Sequence, residues 1–309
     1  MIHGKKQAHD SHDTIYLKIT SVLLMKKLLI FGVGLIGGSV ALKAREQKLF
    51  SEIVGVSRAG GTDLNYFVAN NMLDYISSNI PEDVSSADMI LIATPVAQTQ
   101  SILKKIYPNL LKNTIITDVG STKLNVLNEA KLNLKDKYNQ FIGSHPIAGS
   151  EKNGAGAAQL DLFKNKNIII TEEDLSSTVA QKKLTLFWSS LGGIVSKMTA
   201  KEHDQIFSTV SHLPHLLAFN LVNLINKKKN KEVLLNFAAS GFRDFSRIAA
   251  SSPEMWRDIC LANKDSILQD LILFEKEICE LKSFLELNEL ANLEKYLKNA
   301  STTRKKWSE

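Results

Sequence analysis

Through the first two thirds of the chain, apolar residues come in short unbroken runs rather than in alternation. Leu28 to Val33 (LLIFGV), Asp88 to Thr94 (DMILIAT), Thr114 to Asp118 (TIITD) and Asn167 to Thr171 (NIIIT) are of this kind. Continuous runs of that length are expected of strands buried on both faces. Glu52 to Val56 and Gly193 to Ser196 read as further short strands, and Tyr138 to Ile142 as an apolar run that stops just before a histidine. Helical stretches lie between them, the first over Val40 to Gln47. Strands that alternate with helices need right-handed crossovers, so the pattern predicts a mainly parallel sheet.

The pattern changes near Thr199. Thr199-Ala-Lys-Glu202 has the spacing of a capping box, and long helical periodicity follows with few glycines, punctuated by Pro214 and Pro253. The segment from Glu254 to about Leu287 is periodic as a helix. The expected organisation is an α/β domain over 25–198, an all-α domain over 199–300 and a tail over 301–309. Residues 1–24 read as a disordered extension or a mis-assigned start, because Met25-Lys-Lys-Leu resembles a natural start before a first strand. They lack the small-residue cleavage site of a secretory signal.

Composition narrows the function classes. A chain of 309 residues has room for two cores, and 44% hydrophobic with 23% charged residues is ordinary for a globular protein. The formal net charge is +6. Its basic clusters, Lys227-Lys228-Lys229 with Lys231 and Arg304-Lys305-Lys306, have no aromatic interleaving, so they read as a solvated loop and a frayed terminus rather than nucleic-acid sites. A mildly positive protein suits a polyanionic small substrate or cofactor. The two cysteines, Cys260 and Cys279, lack metal-ligand spacing and imply a reducing compartment. No apolar run reaches the roughly 18 residues of a membrane span. The expectation is a cytoplasmic protein with neither membrane nor nucleic-acid partners.

Gly32-Val-Gly34-Leu35-Ile36-Gly37 fits G-x-G-x-x-G where a strand gives way to a helix. In that place the glycines serve the tight turn, the approach of backbone to pyrophosphate and the packing of helix on strand. The alternative is a plain glycine turn. Ser57-Arg58 stands at the end of strand two, where an acid would read the free ribose diol. A hydroxyl and a guanidinium favour a 2′-phosphate, so the expected cofactor is NAD(P)+, leaning to NADP+, unless Arg58 is only a solvent-facing loop residue. Thr94 and Pro95 end strand four and, with Ser121, leave room for a nicotinamide. Lys123 reads as a solvated residue at the start of the next helix.

Gly143-Ser-His-Pro-Ile-Ala-Gly-Ser-Glu151 places His145 where a buried strand leaves its sheet, the edge at which open α/β sheets bind ligands. Imidazole titrates near neutrality, which makes His145 an acid/base candidate; a structural hydrogen-bonding role is the alternative. The helical half carries Lys201-Glu-His-Asp204, Ser211-His-Leu-Pro-His215, Ser240-Gly-Phe-Arg-Asp-Phe-Ser-Arg247 and Pro253-Glu-Met-Trp-Arg-Asp258. His212 and His215 share a helical face, but no third ligand stands at a usual spacing, so no metal site is expected. Arg243 and Arg247, four apart, project together and can grip a carboxylate, or else pair with Asp244.

With these motifs in this order, the chain resembles the prephenate/arogenate dehydrogenase family, over roughly residues 25–285. The resemblance implies a Rossmann-type dinucleotide-binding domain, an α-helical dimerisation domain and a monofunctional enzyme. The implied reaction is oxidative decarboxylation of prephenate or arogenate, in tyrosine biosynthesis, by a homodimer. It implies that His145 hydrogen-bonds the ring hydroxyl as catalytic histidine, that Ser121 assists it near the nicotinamide, and that Arg247 holds a substrate carboxylate. His215 and His203 then line the substrate site, as does Trp256, of the same or of the partner subunit. Two rival readings remain open at this point: a β-hydroxyacid dehydrogenase of the same plan, and a non-catalytic NAD(P)-binding sensor.

Overall fold

The computed structural model describes residues 25–56, 65–149, 154–172 and 177–308. The extension over 1–24, the Ser57-Arg58 pair, and Ser150 and Glu151 lie outside the described residues. The first half runs β1 (Met25–Phe31), α1 (Leu35–Glu46), β2 (Phe50–Val56), α2 (Asn65–Ala69), β3 (Tyr75–Ile76), α3 (Ile80–Val84), β4 (Met89–Ile92), α4 (Thr99–Ile106), β5 (Ile115–Asp118), α5 (Leu124–Leu134) and β6 (Phe141–Ile142). Its six strands form one sheet in the order β3-β2-β1-β4-β5-β6, every pair parallel. This is the doubly wound dinucleotide-binding order, whose direction of winding reverses between β1 and β4.

The apolar runs work as their composition requires. In β1, Leu28 and Ile30 enter one core while Leu29 and Phe31 enter the other, so both faces of the strand are covered. Register aligns the strand ends: Phe31 pairs with both Val56 and Ile92, and Ile92 with Asp118. The turns that leave β1, β4 and β5 therefore open on one edge of the sheet.

The first sheet is parallel throughout, as expected, but the strands expected after it over 167–171 and 193–196 do not join it. After β6 the chain leaves the first sheet and builds a second from β7 (Ser144–Pro146), β8 (Asn167–Thr171) and β9 (Ile194–Met198), with α6 (Thr178–Ser190) between β8 and β9. β7 is antiparallel to β8. The cause is local. Ser144 donates its backbone N–H to Asp118 Oδ1 (3.2 Å) and its hydroxyl to the Asp118 carbonyl (2.6 Å), and it accepts Trp188 Nε1–H (3.1 Å). These bonds turn the backbone out of the first sheet. Pro146 is tolerated because β7 is an edge strand. His145 thus belongs to the edge of a small second sheet.

The second half is helical: α7 (Ala200–Phe207), a π turn over Ser208–His212, α8 (Leu213–Asn226), α9 (Lys231–Asn236), α10 (Ser240–Ser246), a 3-10 turn over Arg247–Ala250, α11 (Pro253–Ala262), α12 (Lys264–Glu286) and α13 (Leu290–Ser308). Thr199 and Glu202 form the expected capping box. The periodicity over Glu254 to Leu287 resolves into two helices that meet at Asn263 (φ −114°, ψ 33°). The expected tail is also corrected, since α13 carries the chain in helix through Ser308.

Few apolar side chains of this half are buried: Phe207, Ala218, Trp256, Ile259 and Ile267 beyond Ala200. Phe237 is 84% exposed, Leu290 77% and Trp307 79%. Large apolar side chains are thus left exposed on each of the helices α8 to α13. Among the described residues, no helix is long and apolar enough to cross a membrane.

Candidate active site

The aligned strand ends open into a cleft of about 1000 Å³. Gly32, Gly34, Leu35 and Ile36 line it from the first turn, Thr94 and Pro95 from the end of β4, Ser121 from the end of β5 and His145 from β7. Glu254, Met255 and Ile259 of α11 reach it from the helical half. Each glycine of the turn meets a different constraint. Gly32 has φ +90°, and a Cβ on Gly37 would lie 2.1 Å from the Gly32 carbonyl oxygen, so the helix packs against the turn without room for a side chain. A Cβ on Gly34 would meet nothing within 4 Å. That open backbone, ahead of the free N–H groups of α1, fits a pyrophosphate. Glu52 lies 3.5 Å from Lys27 Nζ, far down β2 from the ribose end.

Behind His145 stands a chain of buried polar groups. His145 Nδ1 is 2.8 Å from His203 Nε2, and His203 Nδ1 is 2.8 Å from Asp204 Oδ1. Asp204 also accepts the backbone N–H of Lys123 at Oδ1 (2.7 Å) and of Leu124 at Oδ2 (2.9 Å), so a residue of α7 caps the N-terminus of α5. Asn263, at the break between α11 and α12, donates Nδ2–H to the Asp204 carbonyl (2.7 Å) and meets His212 Nδ1 (3.2 Å). Phe207 packs its ring 4.9 Å from His145 and 4.5 Å from His203.

Lys123 corrects the expectation of a solvated helix residue. It is fully buried and paired with Asp118, whose Oδ2 also accepts the Gly120 N–H (2.8 Å). The helix start turns inward here because Asp118 at the end of β5 needs a cation where water is excluded. Burial pulls the Lys123 ammonium below its ordinary value while Asp118 opposes the shift.

Burial also lowers His145 well below the ordinary imidazole value, with the neighbouring His203, Lys123 and His212 charges adding to the effect. His203 and His215 are lowered, and His212 falls to about 4, burial being the largest cause for each. His145 is thereby neutral and able to accept a proton. An unfolded imidazole titrates near about 6.5, so on acidification the unfolded chain takes up protons that the folded chain refuses. Stability is then full above about 6.5 and declines toward the folded values, by ~3 kcal/mol for His212 alone. The urea midpoint is expected to drop between pH 7 and pH 5; an unchanged midpoint would contradict neutral buried imidazoles.

The remaining candidates form a second group. His215 donates Nδ1–H to the Ser211 carbonyl oxygen (2.8 Å) and stacks on Trp256, centroids 4.0 Å apart and planes 25° apart. Arg247 is near enough for its charge to lower His215. Trp256 thus meets histidines of its own chain. Its buried Nε1–H has no acceptor among the described residues. His212 joins the two groups, edge-on to Trp256 at 6.0 Å.

His203, expected to line the substrate site, is instead fully buried behind His145 and reaches the cleft only through it. Asp118, Lys123 and Asn263 were not among the expected site residues. The one sequence signal for the first two was a carboxylate and a lysine five apart at a strand end. No group of three or more metal-binding side chains occurs among the described residues.

Residues 40–197 match the family model described as prephenate dehydrogenase, nucleotide-binding domain, and residues 199–299 match prephenate dehydrogenase, dimerization domain. The chain is 37% identical to a prephenate dehydrogenase of Bacillus subtilis, over 90% of this chain and 75% of the relative. The chain belongs to the prephenate dehydrogenase family. It is an oxidoreductase with a nucleotide-binding domain. A cyclohexadienyl dehydrogenase of Zymomonas mobilis is 31% identical, over 91% of this chain and 96% of its own. The crystal structure of Aquifex aeolicus prephenate dehydrogenase with hydroxyphenyl propionate and NAD+ superposes with a TM-score of 0.84 at 33% identity, covering 91% of this chain and 97% of that one.

Proposed function

We propose that this chain oxidatively decarboxylates prephenate, and arogenate as a second substrate, with reduction of NAD(P)+, in tyrosine biosynthesis. The observation that carries the reading is His145, neutral and on the wall of the same cleft as the Gly32–Gly37 turn. NAD(P)+, when bound on that turn, supplies the hydride acceptor. His145 takes the proton of the ring hydroxyl as the carbon beneath it is oxidised. The bond to the ring carboxylate then breaks and CO2 leaves; its electron pair completes an aromatic ring, and the ring oxygen takes its proton back from His145 as the phenol forms, which makes the reaction effectively irreversible.

Ser121 assists His145 at the nicotinamide end of the cleft. Arg247 holds a substrate carboxylate, and His215 and Trp256 complete its surroundings, with the unpaired Trp256 N–H free to donate. One carboxylate is common to both substrates, so Arg247 does not choose between keto acid and amino acid. The products are 4-hydroxyphenylpyruvate and tyrosine respectively. The enzyme acts as a cytoplasmic homodimer, the exposed apolar face of the helical half being covered by a second copy. A matrix of prephenate and arogenate against NAD+ and NADP+ with purified protein tests the reading; absence of turnover in every cell of the matrix sinks it.

The preferred cofactor is NADP+, a reading supported by Ser57-Arg58 directly after β2, whose last residue, Val56, lines the cleft. A hydrogen bond to a charged group contributes about 1.5–3 kcal/mol, or roughly 10- to 100-fold. Arg58→Ala is expected to lower the NADP+ to NAD+ ratio of kcat/KM by about that factor, with kcat on NAD+ little changed. An unchanged ratio would show that Arg58 faces solvent.

A further inference from the structure

We propose that His203 and Asp204 are positioning residues that hold His145 in the tautomer with its proton on Nδ1 and its lone pair on Nε2. The inference deepens the assignment of His145 as base and rests on that reading.

It follows from counting donors. Both oxygens of Asp204 accept N–H groups, Oδ1 from Lys123 and Oδ2 from Leu124. Neither is left to donate, so across the 2.8 Å contact His203 Nδ1–H must donate to Oδ1. A neutral His203 then has a bare Nε2, which accepts across its own 2.8 Å contact from His145 Nδ1–H. The tautomer of an imidazole is set by the bond its other nitrogen makes. In His145 that leaves Nε2 unprotonated, on a residue that lines the cleft.

Nothing in this chain of bonds is free to turn. His203 is fully buried and Asp204 nearly so, and Phe207 lies against both imidazoles. Asp204 is fixed at three points: the α5 backbone through its carboxylate, His203, and Asn263 through its own carbonyl. The fully buried His203 has no route to the substrate, so its effect passes through His145. The charged and titratable groups that face the pair are Lys123 and Asp118 from the β5–α5 connection, and His212 from the π turn.

The test uses the full chain with histidines labelled by ¹⁵N, and needs no substrate. His145, assigned by loss of its signals in His145→Asn, is expected to show a protonated Nδ1 and a bare Nε2. His203→Leu and Asp204→Asn are expected to convert it to a mixture of tautomers. His203→Gln is expected to preserve it, because the amide oxygen can accept from Nδ1–H.

A catalytic histidine in the wrong tautomer loses up to about 10⁴-fold in rate. Accordingly kcat should fall about 100-fold or more in His203→Leu and Asp204→Asn, with KM for substrate and cofactor within about threefold. His203→Gln should stay within about tenfold of the parent, and cofactor affinity reports that each variant is folded. An unchanged His145 tautomer in folded His203→Leu and Asp204→Asn overturns the proposal. So does a kcat within about threefold of the parent in both. If the parent itself turns over neither substrate, the assignment of function fails while the nitrogen spectra still decide the tautomer.

Discussion

Replacing His145 with asparagine is expected to lower kcat by about 10² to 10⁴-fold, the usual contribution of a general base. Asparagine keeps a polar side chain of similar reach beside His203 but has no nitrogen that takes up a proton. With substrate held by Arg247 and its neighbours, as proposed, KM should move little. A loss confined to kcat marks an interaction made only as the reaction proceeds. Steady-state kinetics with prephenate check this, and retention of near-full kcat would remove His145 from the chemistry. The same neutral imidazole sets the pH dependence. Because His145 lies well below its ordinary value, kcat/KM should stay level as pH falls through about 6.5, where a solvent-exposed histidine would already have lost activity.

The second large effect separates two glycines of one motif. A Cβ at Gly37 would stand 2.1 Å from the Gly32 carbonyl oxygen and 3.2 Å from Ala93 Cβ. Gly37→Ala must therefore push α1 off the sheet, and overpacking of this kind costs about 1–3 kcal/mol or more. Reduced Tm and loss of cofactor binding should appear together. At Gly34 the built Cβ meets nothing within 4 Å. Gly34→Val should leave Tm close to the parent yet raise the KM for NADP+ about 10- to 100-fold, because the backbone can no longer approach the pyrophosphate. Thermal melts with cofactor titrations distinguish the two. Equal loss of stability at both positions would mean that the motif serves only packing.

How far the sequence could be read depended on whether a feature was local. The apolar run over β1 and the glycine turn after it each carry their own periodicity or sterics, and the dinucleotide fold with its nucleotide edge was legible from them. The capping box at Thr199 was legible for the same reason. What was not legible depended on long-range partners. Ser144 bends the chain out of the parallel sheet through hydrogen bonds to Asp118, 26 residues earlier. Lys123 looked like a helix residue in water because nothing adjacent in sequence shows that Asp118 and the burial of both would draw it inward. Asp204 was visible as a neighbour of His203, but its hold on the start of α5 spans about 80 residues of chain. That His203 stands behind His145 and not beside the substrate is likewise not legible, since a motif records which residues occur together and not which of them stands in front.

The apolar surface of the helical half tells a related story. Exposed Phe237, Leu290 and Trp307 are costly in a monomer and ordinary in a subunit whose core is completed by a second copy.

The most direct test of the central claim is the stoichiometry of one reaction. Purified protein is mixed with prephenate and NADP+, and reduced nicotinamide and released CO2 are measured together. Hydride loss and decarboxylation at the same ring predict equal amounts of both, formed with 4-hydroxyphenylpyruvate and abolished in step by His145→Asn. Reduced nicotinamide without CO2, or no reduction of either cofactor with prephenate or arogenate, would contradict the account.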